Sequence, residues 1–233
     1  MKSLLFTLLL ISIGSFCYAI PASYGTASHS TTKWQELATY DAGNNLVDQF
    51  GISWSVDGGS TWGREDLTVG QTVKFQFNMH KKNVGTHYAD HLKGWLDWDQ
   101  NGTFEADEAI VYGKQDLPAL LGTNRAPAPG EANFQFFSND FTISESHIGD
   151  LWLRGRVVCS ESLNKSLGGN WNNQWDKSDS YYENGFKPTG HLHQGEVEEW
   201  KITVSAVPDT GSTLALLSVA LIGLGFVKRR KAA

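Results

Sequence analysis

An acidic loop of twelve residues, Asp97–Glu108, carries the side chains best suited to holding a metal ion. Its spacing matches the calcium-loop pattern D-x-[DN]-x-[DN]-G-x5-E, in which Ca²⁺ collects about six to eight oxygen ligands and the glycine permits a sharp turn. We therefore predict a calcium site whose ligands are Asp97, Asp99, Asn101, Thr103, Glu105 and Glu108. Thr103 would bind through its backbone carbonyl, Glu105 through water and Glu108 as a bidentate carboxylate. The alternative is an acidic surface turn.

The segments on either side of this loop have the pattern of strands rather than of helices. HLKGWLDW precedes the loop and EAIVYG follows it, and both are short and rich in aromatic or aliphatic residues. A calcium sensor needs flanking helices that reorient when the ion binds. A loop between strands therefore indicates a structural or binding site.

A second acidic group lies in the segment GEVEEW, which leads into an apolar strand. Side chains alternate between the two faces of a strand, so Glu196 and Glu198 should share the inward face of Trp200 and Ile202. Two inward carboxylates are costly unless a cation, an arginine or solvent at the rim neutralises them. We therefore treat Glu196 and Glu198 as supporting residues of the metal site.

Two arginines provide the alternative explanation for these carboxylates. Arg154 and Arg156 in LWLRGRVV also share one face of a strand, and they could pair with Glu196 and Glu198 without any metal ion. The sequence leaves both arrangements open.

An aromatic and amide-rich segment, GNWNNQWDKSDSYYENGF, is the other candidate for ligand binding. Aromatic faces can stack on sugar rings while amides bond sugar hydroxyls, and the candidate contacts are Trp171, Trp175, Tyr181 and Tyr182. The same composition suits a long loop that packs over one end of the domain.

The remaining segments favour an all-β domain. TVKFQFNMH alternates between apolar and polar residues, as a half-buried antiparallel strand does. Short strands separated by turns predict an antiparallel β-sandwich of jelly-roll type, with no helix between the two ends of the chain. The turn SVDGGSTW matches the Asp-box pattern, in which Asp57 bonds backbone amides of a hairpin. The predicted buried residues are Val73, Phe75, Phe77, Leu96, Leu153, Val157, Ile202 and Val204.

Both ends of the chain have the composition of export signals. Residues 1–19 combine an early lysine, an apolar run and small residues before the end, which is the layout of a secretory signal peptide. Residues 210–227 carry no charge and precede a basic cluster, so they predict a membrane-spanning helix with a cytoplasmic basic end. The predicted divisions are a signal peptide (1–19), a folded domain (20–206) and a tail (207–233).

The charge of the folded domain excludes one class of partner. The whole chain has a formal net charge of −6, and the two ends hold five of its 19 basic residues but only one of its 25 acidic residues, so the central domain, with 14 basic and 24 acidic residues, is near −10. Nucleic-acid binding relies on clustered Lys and Arg, so we expect no such partner. Cys159 is the one cysteine left after removal of the signal peptide, and we predict a buried, unreactive thiol.

The tail resembles a known sorting signal. It resembles the VPDSG-CTERM variant of the PEP-CTERM family, which has a short motif, an apolar segment and a basic end in the same order. The motif here is formed by Val207, Pro208, Asp209, Thr210 and Gly211, with Thr210 in place of the usual Ser. This resemblance implies a Gram-negative bacterium and recognition by an exosortase-type sorting enzyme. It also implies removal of the helix after export to the surface or extracellular matrix. A permanent membrane anchor is the alternative.

The central region resembles the GEVED domain. The residues that carry the resemblance are GWLDWDQNGTFEADEA and, after an arginine-bearing strand, GEVEEW, within roughly residues 72–204. Glu199 and Trp200 stand where the family has Asp and commonly Tyr. The resemblance implies a β-sandwich-like module of secreted and surface bacterial proteins, with a metal site in the acidic loop and no catalytic residues that can be named.

Taken together, these patterns favour an exported, calcium-stabilised, non-enzymatic protein of the cell surface or extracellular matrix. The expected partners are an exosortase-type enzyme, the inner membrane in passing or permanently, and exopolysaccharide. One alternative is a carbohydrate-binding module. Another is a secreted hydrolase with two catalytic carboxylates, although no pair of acidic residues is marked for that chemistry.

Overall fold

The computed structural model describes residues 19–43, 45–81, 89–115 and 132–208, and these are built mainly of β-strands. Residues 1–18 of the predicted signal peptide and the predicted tail helix lie outside these ranges. Within the ranges, none of the helices has both the length and the apolar character needed to cross a membrane.

The strands, in chain order, are β1 (Ala27–Thr31), β2 (Gln35–Leu37), β3 (Thr39–Tyr40), β4 (Leu46–Asp48), β5 (Ile52–Ser55), β6 (Leu67–Thr68), β7 (Thr72–Lys81), β8 (Asp90–Leu96), β9 (Ala109–Gln115), β10 (Ala132–Phe137), β11 (Phe141–Thr142), β12 (Gly149–Cys159), β13 (Gly190–Gln194) and β14 (Glu196–Ser205). Two α-helices, α1 (Ser160–Ser166) and α2 (Asp179–Gly185), accompany three short 3₁₀-helices at Ala22–Tyr24, Glu145–His147 and Trp171–Asp176.

Two five-stranded sheets form the sandwich. In the first, β7 pairs with β2, β5, β10 and β11, and all four pairings are antiparallel. The second has the order β6-β14-β12-β8-β9. Its β14–β6 pairing is parallel, as is a separate ladder between β1 and β13, so the expected sandwich is not antiparallel throughout. The jelly-roll type of its connectivity stays a prediction.

The core lies between the two sheets and contains the residues that the alternating pattern selected. All eight predicted core residues are at most 2% exposed. Trp54 and Phe141 complete this core around Phe75, at ring-centroid distances of 6.1 and 6.4 Å. The prediction of the core is confirmed.

Strand β7 is more buried than its alternating pattern predicts. The residues of its polar face, Gln76, Asn78 and His80, are also buried. The small β3–β4 hairpin contacts two of them: Asn78 donates to the Thr39 hydroxyl at 2.9 Å, and the Tyr40 ring stacks on His80 at 3.7 Å. Gln76 accepts a hydrogen bond from the Ser53 hydroxyl of β5 at 3.2 Å. The expectation of a half-buried strand was wrong because the pattern of one strand does not show which segment covers its polar face.

The segment after β12 contains helices, contrary to the expectation of none. Helix α1 starts directly after Cys159, whose sulfur accepts a hydrogen bond from the Ser162 amide at 3.4 Å. Helix α2 is capped by Ser178, whose hydroxyl accepts from the Tyr181 amide at 3.2 Å. Side-chain caps of this kind satisfy free backbone donors and stabilise short helices. Cys159 is buried and forms no disulfide with any of the described residues, and burial raises the pKa of its thiol to about 12.

The turn at Asp57 forms as predicted, but the hairpin around it is short. The Asp57 carboxylate accepts hydrogen bonds from the amides of Ser60 at 3.0 Å and Thr61 at 2.9 Å. The two arms meet through an isolated bridge between Trp54 and Gly63, and the chain then continues to β6 in the other sheet. The turn therefore connects the two layers of the sandwich.

Candidate metal centre

The acidic loop joins β8 to β9 at one end of the second sheet. The amide of Leu96 donates to the Glu108 carbonyl at 3.1 Å, so the two ends of the loop are held together. The amide of Asp97 donates to the Trp152 carbonyl of β12 at 3.0 Å. Gly102 has φ +85°, a conformation that glycine adopts without a side-chain clash. The turn predicted at this glycine is confirmed.

Three of the predicted ligands converge within this loop. Carboxylate oxygens of Asp97, Asp99 and Glu108 lie within 4.8 Å of one another. Calcium–oxygen distances are about 2.3–2.6 Å, so oxygens around one ion can lie up to about 5 Å apart. The cluster therefore has the dimensions of a divalent-cation site.

The electrostatics of the cluster favour a positive charge within it. Asp97 is fully buried and Glu108 is 7% exposed, so water screens their mutual repulsion poorly. Burial, together with the neighbouring Glu105 and Asp97, raises the pKa of Glu108 to about 7 against the backbone amides that lower it. A cation would remove this repulsion.

Backbone amides fix the positions of the carboxylates. Asp97 accepts from the amides of Asn101 at 3.2 Å and Gly102 at 3.1 Å. Glu108 accepts from the amides of Trp98 at 2.9 Å and Glu105 at 3.0 Å. The loop conformation thus holds the ligand oxygens in place through its own main chain.

The other three predicted ligands form an adjacent group. Asn101 donates to Glu105 at 3.1 Å, and the Thr103 hydroxyl donates both to Asn101 at 2.7 Å and to Glu105. The Thr103 bond is the main cause of the lowered pKa of Glu105. These residues neighbour the cluster, but their side chains bond to one another, and their roles as ligands stay predictions.

The sequence analysis did not identify Tyr24, which completes one side of the centre. Its buried hydroxyl donates to Asp97, and its ring packs against Phe104 at 4.9 Å and Trp152 at 5.9 Å. Burial and the bond to Asp97 raise the pKa of this hydroxyl. Arg154 holds the Tyr24 main chain, because its guanidinium donates to the Tyr24 carbonyl at 3.1 Å. No local pattern indicated this contact, since Tyr24 and Asp97 are far apart in the chain.

The assignment of Glu196 and Glu198 as supporting residues was wrong. Glu196 is aligned with Val157 and Glu198 with Gly155 on β12, whereas Asp97 bonds Trp152; at about 3.3 Å per residue, these positions are roughly 17 and 10 Å from Trp152. Glu196 instead accepts from the Leu37 amide at 2.7 Å. Burial, followed by the charge of Glu196, raises the pKa of Glu198 to about 8. The free-energy cost of burying these carboxyls is therefore reduced in two ways: Glu196 accepts a hydrogen bond from a backbone amide, and Glu198 holds its proton to a higher pH.

The alternative pairing with Arg154 and Arg156 was also wrong. Both arginines are buried on the opposite face of β12, where Arg154 pairs with Glu199 at 2.8 Å from its Nε. Arg156 donates to the carbonyls of Lys187 and Thr189, both at 2.9 Å. The two guanidinium groups therefore tie chain segments to the outer face of the second sheet.

The aromatic segment packs onto the domain. Tyr182 is fully buried and donates to the Gln174 carbonyl at 2.6 Å, so its assignment as a sugar contact was wrong. Trp171 and Trp175 form an edge-to-face pair at 4.9 Å, and Tyr181 donates to Asn164 at 3.1 Å. These three are partly exposed, and their contact with a glycan stays a prediction.

Comparisons with protein families agree with both resemblances. A GEVED domain model matches residues 91–203, a narrower range than the one estimated from the sequence, and it includes the acidic loop and GEVEEW. A VPDSG-CTERM motif matches residues 206–231. No curated protein is significantly similar to the chain. The motif implies export, sorting to the cell surface and processing by an exosortase-type enzyme. The chain therefore carries a GEVED domain match over residues 91–203, followed by a C-terminal VPDSG-CTERM sorting motif over residues 206–231.

Proposed function

We propose that this protein is a non-enzymatic component of the cell surface or extracellular matrix whose GEVED domain is stabilised by calcium. The observation that carries the proposal is the convergence of Asp97, Asp99 and Glu108 within 4.8 Å, with two of the three carboxylates buried. Hard oxygen ligands of this kind suit Ca²⁺.

The cation would stabilise contacts beyond its own loop. Asp97 bonds the β12 main chain and also the hydroxyl of Tyr24, which lies in the segment that precedes β1. A cation on Asp97 would thus fix the loop, the central strand of the second sheet and the N-terminal segment relative to one another. Because the unfolded chain has no such site, binding would raise the free energy of unfolding.

A non-enzymatic role is favoured by the state of the acidic residues in this centre. Asp97 and Glu108 are buried and held by backbone amides, which suits metal binding better than proton transfer to a substrate. We further propose that the tail is a membrane-spanning helix, that its basic end is cytoplasmic and that the exosortase-type enzyme removes it after export. A permanent anchor is the alternative for this tail.

Calorimetric titration of calcium into the metal-free chain, purified in mild detergent, tests the proposed site. The wild-type chain should bind one calcium ion, with a dissociation constant on the order of 0.1–1 mM, as in weak extracellular sites. Asp97→Asn should weaken binding strongly, because it removes a charged ligand. Asp107→Asn is the matched control, since Asp107 is an exposed acid of the same loop outside the cluster. Equal affinities for the two variants would reject the assignment.

A further inference from the structure

A cleft on the outer face of the second sheet lies next to the acidic loop. It has a volume of ≈ 520 Å³, within the range of about 300–1,000 Å³ typical of small-ligand sites. Its lining includes Lys93 and Trp95 of β8, Phe104 and Asp107 of the loop, and Asn184 at the end of α2. The cleft is therefore built by rigid strands, one helix end and the candidate metal loop.

Lys93 is the unusual side chain in this cleft. The residue is 7% exposed, and its ammonium donates to the Glu183 carbonyl at 2.7 Å. This is its one hydrogen bond to the described residues, although an ammonium has three donors. Burial, and then the nearby positive charge of Lys187, lower the pKa of Lys93 against the opposing effect of Glu183. The hydrogen bond to the Glu183 carbonyl of α2 thus leaves N–H donors on Lys93 for an anionic ligand.

The other polar groups of the cleft indicate what else the ligand carries. Asn184 makes no side-chain hydrogen bond to the described residues and is exposed. Glu183 and Asp107 add two exposed carboxylates, which accept hydrogen bonds from hydroxyl groups. The partly exposed rings of Phe104 and Tyr112 supply apolar surface. A suitable ligand therefore contains a residue that combines a carboxylate with several hydroxyl groups.

We infer that this cleft binds a uronic-acid residue of an extracellular glycan, with the sugar carboxylate on Lys93 and the sugar hydroxyls on Asn184, Glu183 and Asp107. An acidic peptide would offer carboxylates to Lys93 and Lys187 but no hydroxyls for Glu183 and Asp107, so a uronate trimer and a glutamate trimer differ in these hydroxyl contacts. This inference goes beyond the proposed function. It concerns a site that contains none of the three clustered carboxylates.

Calorimetric titration of the full chain with three trimers tests the inference: trigalacturonate, cellotriose and triglutamate. Free calcium is buffered at about 1 mM in every arm, the upper part of the range for weak extracellular sites. Trigalacturonate should bind, whereas cellotriose and triglutamate should bind at least about tenfold more weakly, because each lacks one of the two groups that the cleft requires.

Variants identify the contacts. Lys93→Gln keeps a donor for the Glu183 carbonyl but removes the charge, and it should weaken trigalacturonate binding by about tenfold or more. Lys114→Gln is the matched control, because Lys114 lies on the adjacent β9, pairs with Asp179 at 2.5 Å and does not line the cleft. Asn184→Ala, at an exposed position, should weaken binding several-fold without changing the melting temperature, and it supports the test if Lys93→Gln fails to fold.

Several results would overturn the inference: no binding of trigalacturonate, wild-type affinity in folded Lys93→Gln or in Asn184→Ala, or equal binding of cellotriose. Equal or tighter binding of triglutamate would assign the cleft to acidic peptides instead. These outcomes do not depend on the proposed calcium site. That site is tested separately, by titrating calcium into Asp97→Asn and Asp107→Asn in the absence of any sugar.

Discussion

The half-buried carboxyl of Glu198 should give this protein a stability that falls as the pH rises. Burial and the neighbouring Glu196 raise the pKa of Glu198 from 4.5 to about 8 in the folded chain. Between these values the folded state holds a proton that the unfolded state has released, so folding becomes less favourable as the pH increases. The stabilising effect is complete below about pH 4.5 and is lost as the pH passes through about 8.

The substitution Glu198→Gln isolates this effect, because glutamine has nearly the same shape and does not ionise. One pKa unit corresponds to about 1.4 kcal/mol. A rise from 4.5 to about 8 therefore sets an upper limit of about 5 kcal/mol. Because Glu198 is partly open to solvent and lies near Arg64, we expect about 2 kcal/mol.

The assay is urea unfolding of the full chain in detergent, followed by tryptophan fluorescence across this pH range. Wild type and Glu198→Gln should have similar free energies of unfolding near pH 4.5, and the variant should be more stable by about 2 kcal/mol above pH 8. Glu145→Gln, at an exposed position, controls for the loss of one negative charge. A constant difference between wild type and Glu198→Gln at all pH values would refute the reasoning.

Three further predictions concern the core, the N-terminal segment and the tail. Phe75→Ala should lower the free energy of unfolding, measured in urea, by ~3–5 kcal/mol because Phe75 is fully buried. Phe137→Ala is the control: Phe137 is 46% exposed, so its loss should cost under about 1 kcal/mol. Equal costs for the two variants would contradict the assigned core. Tyr24→Phe should cost about 1–2 kcal/mol in EDTA by removing a donor to buried Asp97, and an unchanged urea midpoint would argue against that contact. Reporter domains fused after Val204 and after Ala233 should lie on opposite sides of the inner membrane in cells without the sorting enzyme, and reporters on the same side would contradict a spanning tail.

Local patterns were sufficient where the structure depends on neighbouring residues. The alternation in β7 identified Phe75 and Phe77 as core residues, because one face of a strand packs as a unit. The calcium-loop spacing selected Asp97 and Glu108, because a loop of fixed length with Gly102 at its turn must bring its two ends together.

Contacts between distant segments were not predictable from these patterns. Tyr24 reaches Asp97 across 73 residues, and one polar segment of the N-terminus gives no sign of where it packs. The alternation of β14 placed Glu198 inward correctly, but it could not show that Glu198 has a raised pKa and lies near Arg64, instead of pairing with Arg154 or Arg156. Helix α2 was missed because its stability depends on the Ser178 cap and on packing of Tyr182, not on a long periodic pattern.

The thermal melting of the chain in EDTA and in calcium tests the account most directly. If calcium binds the native Asp97–Glu108 loop and not the unfolded chain, it raises the free energy of unfolding by ~2.7 kcal/mol at a hundredfold excess over its dissociation constant. A concentration of about 5 mM, several-fold above the range for a weak extracellular site, should therefore raise the melting temperature of the wild-type chain. The same calcium should leave Asp97→Asn nearly unchanged. Identical wild-type midpoints with EDTA and with calcium would contradict the account and leave the loop as an acidic turn.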